Sequence, residues 1–160
     1  MKRTLLLGYG NIDRQDDGVA WHVIVAISTL RGLEPFSLEE DLYSIEENPG
    51  YVFVLQLTPE LAELISNYDK VCFIDAHTGN LPGDVNVTTI KGEYQASTFT
   101  HHMTPATVLA LSQALYNSSP NCILVSVRGF QFGFSHALSE ETLSFVNKAA
   151  ELIQQWIETL

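Results

Sequence analysis

Apolar residues in this chain fall into short continuous runs separated by stretches with helical spacing. Thr4 to Leu7 is an apolar run that ends at Gly8, as a buried strand would. Val19, Val23, Ile27 and Leu30 then recur on one face of a helix spanning 17 to 31, which Gly32 can end. Tyr51 to Leu57, Val71 to Ile74 and Cys122 to Val127 read as further strands, and Val85 to Ile90 alternates as an edge or half-exposed strand does. Thr58-Pro59 places an N-cap and a first-turn proline at the start of a helix reaching about Asn67. Thr104-Pro105 repeats that signature before Val108, Leu109, Leu111 and Leu115. Ser139-Glu140-Glu141 opens a last helix with Leu143, Val146, Ala150, Ile153 and Ile157 on one face. Leu33 to Gly50 carries Glu39, Glu40, Asp41, Glu46 and Glu47, and predicts a solvated loop with room for one short strand.

Strands that alternate with helices predict an α/β fold. The expected form is a three-layer αβα domain, with a twisted, mostly parallel sheet of about five strands flanked by helices. No linker or repeat divides residues 1 to 160, so one domain is expected.

Charge narrows the partners. The 8 Lys+Arg and 19 Asp+Glu give a formal net charge of -11, which disfavours nucleic acid and suits a basic partner or a cation. The 2 cysteines, Cys72 and Cys122, each lie in an apolar run and read as small core residues rather than a disulfide or a metal pair. The run Leu5-Leu6-Leu7 is too short for a signal peptide or a membrane span. Together these features predict a soluble cytoplasmic protein with no membrane partner.

In open α/β sheets the ligand crevice lies beyond the carboxyl ends of the strands. Three segments qualify: 8 to 18 after the first strand, 75 to 80, and 100 to 105. The first begins Gly8-Tyr9-Gly10, but Asp13 stands where a dinucleotide loop needs its third glycine, and Asp16 and Asp17 would oppose a pyrophosphate. No nucleotide is therefore expected. Asp16 and Asp17 suit either helix capping or a cation. Asp75 at its strand end and the His101-His102 pair each have an ordinary loop role as well. Their convergence on one rim makes a mixed oxygen and nitrogen donor set with open positions, acceptable to nickel, zinc and similar ions. The chain has no Gly-x-Ser-x-Gly elbow and no His-Glu-x-x-His helix. Arg128 follows a strand and is placed either to touch substrate or to sit on the surface. His22 reads as structural, His77 as a neighbour of Asp75, and His136 has no supporting context.

Gly8-x-Gly10-Asn11 followed by Asp16-Asp17-Gly18 resembles the signature of the hydrogenase maturation proteases. Asp75-Ala76 with the later Pro82-Gly83 is similar to that family's second motif. His101, seven residues before Val108, is similar to its third, and Leu138-Ser139 is also family-like. The resemblance covers nearly the whole chain. It implies a hydrolase, a nickel-dependent, aspartyl-endopeptidase-like processing protease. Such an enzyme removes a C-terminal extension from a nickel-iron hydrogenase large-subunit precursor after nickel insertion. The implied metal contacts are Asp17, Asp75 and His101, with His102 the competing choice for the last. Asp17 and Asp75 are the implied catalytic groups. Asp16, Gly10, Asn11, His102 and His77 are the implied supporting or substrate-contacting residues. Nickel is implied to arrive with the substrate.

Ile12-Asp13 replaces a common Pro-Leu, and Ala20 stands where glycine is common. Gln56-Leu57-Thr58-Pro59-Glu60 replaces a glycine-rich turn. These departures keep a second reading in view: a divergent, non-proteolytic paralogue that binds a metal or a maturation partner. A small-molecule hydrolase on the same rim is a third.

Overall fold

The structure is a computed structural model, and it describes residues 2–34, 36–38, 42–94 and 103–159. His101, His102 and the acidic residues Glu39, Glu40 and Asp41 lie outside the described residues.

One sheet organises the fold. Its strands are β1 (Thr4–Tyr9), β2 (Leu42–Ser44), β3 (Gly50–Val54), β4 (Lys70–His77), β5 (Val85–Ile90) and β6 (Asn121–Arg128), in the order β2-β3-β1-β4-β6-β5. The central strands β3, β1, β4 and β6 pair in parallel, whereas β2 and β5 are antiparallel edges. The α/β, mostly parallel expectation is met, with one strand more among the described residues than the expected five. The added strand is β2, within the acidic segment expected to be a loop with room for one short strand. With three residues it is too short to show a period of two in the sequence.

The helices are α1 (Val19–Leu30), α2 (Leu61–Ile65), α3 (Pro105–Tyr116) and α4 (Glu140–Ile157). Strand alternation sends side chains to both faces of the sheet. Leu6, Cys72, Ile74, Val125 and Val127 pack with Ile24 and Ile27 of α1 and with Val146 and Ile153 of α4. Leu5, Leu7, Val71, Phe73 and Cys122 pack with Leu61 and Ile65 of α2 and with Val108 and Leu109 of α3. The result is the three-layer arrangement, with α1 and α4 on one face and α2 and α3 on the other. Among the described residues no helix is long and apolar enough to cross a membrane.

Several boundaries differ from the sequence reading for local reasons. The helix expected from 17 begins at Val19, because Gln15–Gly18 forms a 3-10 turn. The helix expected from Pro59 is α2 alone. Thr58 does not cap it; the Thr58 carbonyl instead accepts the Leu61 N–H at 3.1 Å in a turn. Thr104 does cap α3 by accepting the Thr107 N–H, with Pro105 in the first turn, and Ser139 caps α4 by accepting the Thr142 N–H. The strand expected to stop at Ile74 continues through Asp75 and Ala76 to His77. Asp75 therefore stands inside β4, held on both sides by neighbouring strands, rather than on the loop beyond it.

Candidate active site

β1 and β4 are neighbours at the middle of the sheet. The chain leaves β1 through α1 on one face, and the stretch after β4 carries α3 on the other. Such a reversal opens a crevice at the carboxyl ends of the two strands. A cleft of about 440 Å³ lies there, and Gly10, Asn11, Asp17 and Asp75 all line it.

Asp75 reaches the cleft from β4, where its register partner on β6 is Ser126. The Ser126 hydroxyl donates to Asp75 Oδ1, and the Tyr9 hydroxyl donates to Asp75 Oδ2 at 2.9 Å. Burial dominates the electrostatics and pushes the Asp75 carboxyl up to about 6. The two hydroxyl donors oppose that shift, and the nearby charge of Asp17 adds to it. Tyr9 is displaced upward as well, first by burial and then by the Asp75 charge and hydrogen bond, so its phenol stays protonated and donates.

Asp17 comes from the 3-10 turn, and its Oδ2 accepts the Asn11 N–H at 2.8 Å. This closes the loop that follows β1. Gly10 is required here: its φ is +144°, and a side chain would place Cβ 2.1 Å from the Asp17 carbonyl oxygen. The glycine motif thus serves a close crossing of two backbone segments rather than a phosphate cradle.

Asp16 and Asp17 are adjacent in sequence and act in different places. Asp16 is fully buried. Its carboxylate accepts from Phe130 N at 2.8 Å, Gln131 N at 2.9 Å, Ser139 N at 2.8 Å and Ser139 Oγ at 2.7 Å. Burial alone would raise its pKa, but these donors together hold it below the ordinary carboxylate value. Asp16 joins the β1 loop to the segment after β6 and to the start of α4. The helix-capping alternative for this pair is not what is observed, since neither carboxylate caps α1.

His77 shares a strand face with Asp75 but does not bond to it. His77 Nδ1 accepts the Gly79 N–H at 3.1 Å, and burial lowers the pKa of the ring. The histidines expected from the third segment lie outside the described residues, but Met103, which follows them, lines the same cleft as Asp17 and Asp75. Arg128 packs against Gly79 and over the Phe130 ring at 4.6 Å. His136 Nε2 lies 2.6 Å from Asp13 Oδ1, a partner that its sequence context did not suggest. Cys72 and Cys122 are free and buried. Burial pushes the Cys122 thiol up to about 12 and Cys72 higher still, which leaves both inert.

Sequence reasoning missed Tyr9 and Ser126. Tyr9 was visible only as the variable position between two glycines. Ser126 carries a signal in the sequence: it is the single hydroxyl within the otherwise apolar run 122 to 127. Arg14 was missed as a lining residue, and Gln56 and Leu57 of the departing turn do reach the cleft wall.

No family model matches the sequence, and no curated protein matches it either. Solved structures do match along almost the whole chain. The hydrogenase maturating endopeptidase HybD from E. coli is 20% identical, with 97% of this chain and 91% of that one covered and a TM-score of 0.64. The [NiFe] hydrogenase maturation protease HycI from Thermococcus kodakarensis KOD1 is 18% identical, with 99% and 94% covered and a TM-score of 0.65. The hydrogenase 2 maturation peptidase from Thaumarchaeota archaeon SCGC_AB-539-E09 is 16% identical, with 98% and 99% covered and a TM-score of 0.60. This chain has the fold of the hydrogenase maturation proteases.

Proposed function

We propose that this protein is a processing endopeptidase of the hydrogenase maturation type. It would remove a C-terminal extension from a nickel-iron hydrogenase large-subunit precursor that has already received nickel. The observation that carries this reading is the pairing of Asp17 and Asp75 across one cleft, at the carboxyl ends of β1 and β4, in a chain with the fold of those proteases.

The donor chemistry suits a cation that arrives with the substrate. Among the described residues nothing donates to Asp17 Oδ1, while Oδ2 is fixed by the Asn11 N–H. Each Asp75 oxygen accepts one hydroxyl and retains a lone pair. In this reading the two carboxylates and the His101 imidazole contact the nickel of the precursor, which positions the bond to be cut. A carboxylate with a pKa near 6 is ionised at neutral pH and is more basic than an ordinary aspartate. Asp75 is therefore suited to take a proton from an attacking water.

The test is the intact mass of the host's nickel-loaded large-subunit precursor, with and without this protein, and with Asp17→Asn as control. Loss of a C-terminal peptide with the native protein alone is the expected result. An unchanged mass, on a precursor that a control protease can cut, would favour a paralogue that binds without cutting. Omitting nickel from the precursor separates recognition through the metal from recognition of the polypeptide alone.

A further inference from the structure

A second pocket, of about 400 Å³, lies beside the acidic cleft and shares Gly10, Asn11 and Leu55 with it as a common wall. That volume is within the roughly 300–1,000 Å³ typical of ligand pockets. Its floor is aromatic: Trp21 of α1 and Phe53 of β3 meet edge to face, with ring centroids 5.8 Å apart. Its rim is apolar and wet. Leu38 is 43% exposed, Tyr43 55% and Leu55 65%. One exposed apolar side chain needs no explanation, but three around a single aromatic-floored pocket make a recognition surface, all the more in a chain with a net charge of -11.

We propose that this pocket is the specificity pocket of the protease. It would take a bulky aliphatic or aromatic side chain of the same polypeptide whose scissile bond lies over Asp17 and Asp75. The proposal rests on the endopeptidase reading. The common wall commits the occupant: a chain lying in the acidic cleft passes Gly10, Asn11 and Leu55 on its way into the pocket. An extended peptide advances about 3.3 Å per residue, so the recognised side chain belongs to a residue within a few positions of the cut. Acidic side chains are disfavoured there by the apolar rim and by Asp13, which also lines the pocket.

The test uses steady-state cleavage of the full precursor by wild type and by the Leu38→Glu/Tyr43→Glu double variant. Both side chains are substantially exposed, so the change does not open the core. Loss of substrate binding away from the reacting bond raises KM and leaves kcat nearly alone. The expected result is a KM raised tenfold or more with kcat within threefold. Replacing the recognised apolar residue of the precursor by Asp should raise the wild-type KM similarly. A wild type that cuts, together with a double variant whose KM is unchanged, would overturn the pocket assignment and leave the endopeptidase reading standing. A wild type that never cuts the precursor would overturn both. If the double variant melts well below wild type, Tyr43→Ala serves in its place, with the same two readings of KM.

Discussion

The Tyr9 hydroxyl donates to Asp75 Oδ2 from the neighbouring strand, across 2.9 Å, and both residues line the cleft. The bond favours the ionised carboxylate and opposes the burial that raises its pKa. Tyr9→Phe removes the donor and keeps the ring. In the metal-free protein the Asp75 carboxyl should then titrate above its wild-type value, with about 1 kcal/mol of stability lost with the bond. Carbon-detected NMR of the side-chain carboxyl reads the first effect, and a urea melt reads the second. An unmoved titration would show that the phenol contributes nothing to that charge.

The raised Asp75 value also fixes a sign for stability against pH. In the folded state this group holds its proton up to about 6, against 3.8 for the ordinary carboxyl. Between those values the folded state binds more protons than the unfolded one. The stability contributed by Asp75 is therefore full below about 4 and is lost as pH rises through 6. Asp75→Asn removes that dependence. The variant should gain on wild type between pH 4 and 6, by on the order of 2–3 kcal/mol. Denaturant melts of both metal-free proteins at several pH values across this window check it. A constant difference would mean that Asp75 is ionised throughout.

Asp16 and Asp17 should separate by phenotype. Asp16→Ala strips the acceptor from three backbone N–H groups and the Ser139 hydroxyl in a buried setting. The expected cost is roughly 3–5 kcal/mol, a fall in Tm of about 10 °C for a chain of this size. Because its pKa is depressed, the Asp16 contribution is present above the unfolded value and is lost as pH falls through the folded one. Asp17→Asn keeps an oxygen to accept the Asn11 N–H and should melt within about 2 °C of wild type while cleavage is lost. Thermal melts and precursor cleavage on the same two variants decide it. A stable Asp16→Ala would contradict the anchoring role.

These cases also show what the sequence could and could not disclose. The four central strands, the caps at Thr104 and Ser139, and the edge strand β5 follow from local pattern and turn chemistry. Such signals are written within a few residues of the element they control. The division of labour between Asp16 and Asp17 is not local. It depends on Phe130, Gln131 and Ser139, more than a hundred residues away, whose amides reach one carboxylate and leave the other in the cleft. The extension of β4 through Asp75 escaped for a similar reason. A carboxylate reads as the end of a strand unless its partners are known, and those partners are hydroxyls on two different strands. The turn from Gln56 departs from the resembled motif, and it does form part of the cleft wall, as its position after β3 suggested.

Lys70 carries the last prediction. It opens β4, is 1% exposed, and belongs to a class that is almost never fully buried without partners. Its Nζ donates to the Trp156 carbonyl at 2.5 Å, to the Thr159 carbonyl at 2.9 Å and to the Thr159 hydroxyl at 3.0 Å, and it lies 4.4 Å from the centroid of the Trp156 ring. The cation thus sits at the carboxyl end of α4, where unsatisfied carbonyls and the helix dipole favour positive charge. It fastens the last helix to the strand that carries Asp75. Lys70→Met keeps the stem and removes the charge and all three donors. The expected cost is about 2–4 kcal/mol, from the loss of the three hydrogen bonds that the buried ammonium donates. Hydrogen exchange should show the last turns of α4 opening before the sheet does. If α4 keeps its protection in that variant, the helix is held by the packing of Val146, Ala149, Ala150 and Ile153 alone, and Lys70 is a passenger.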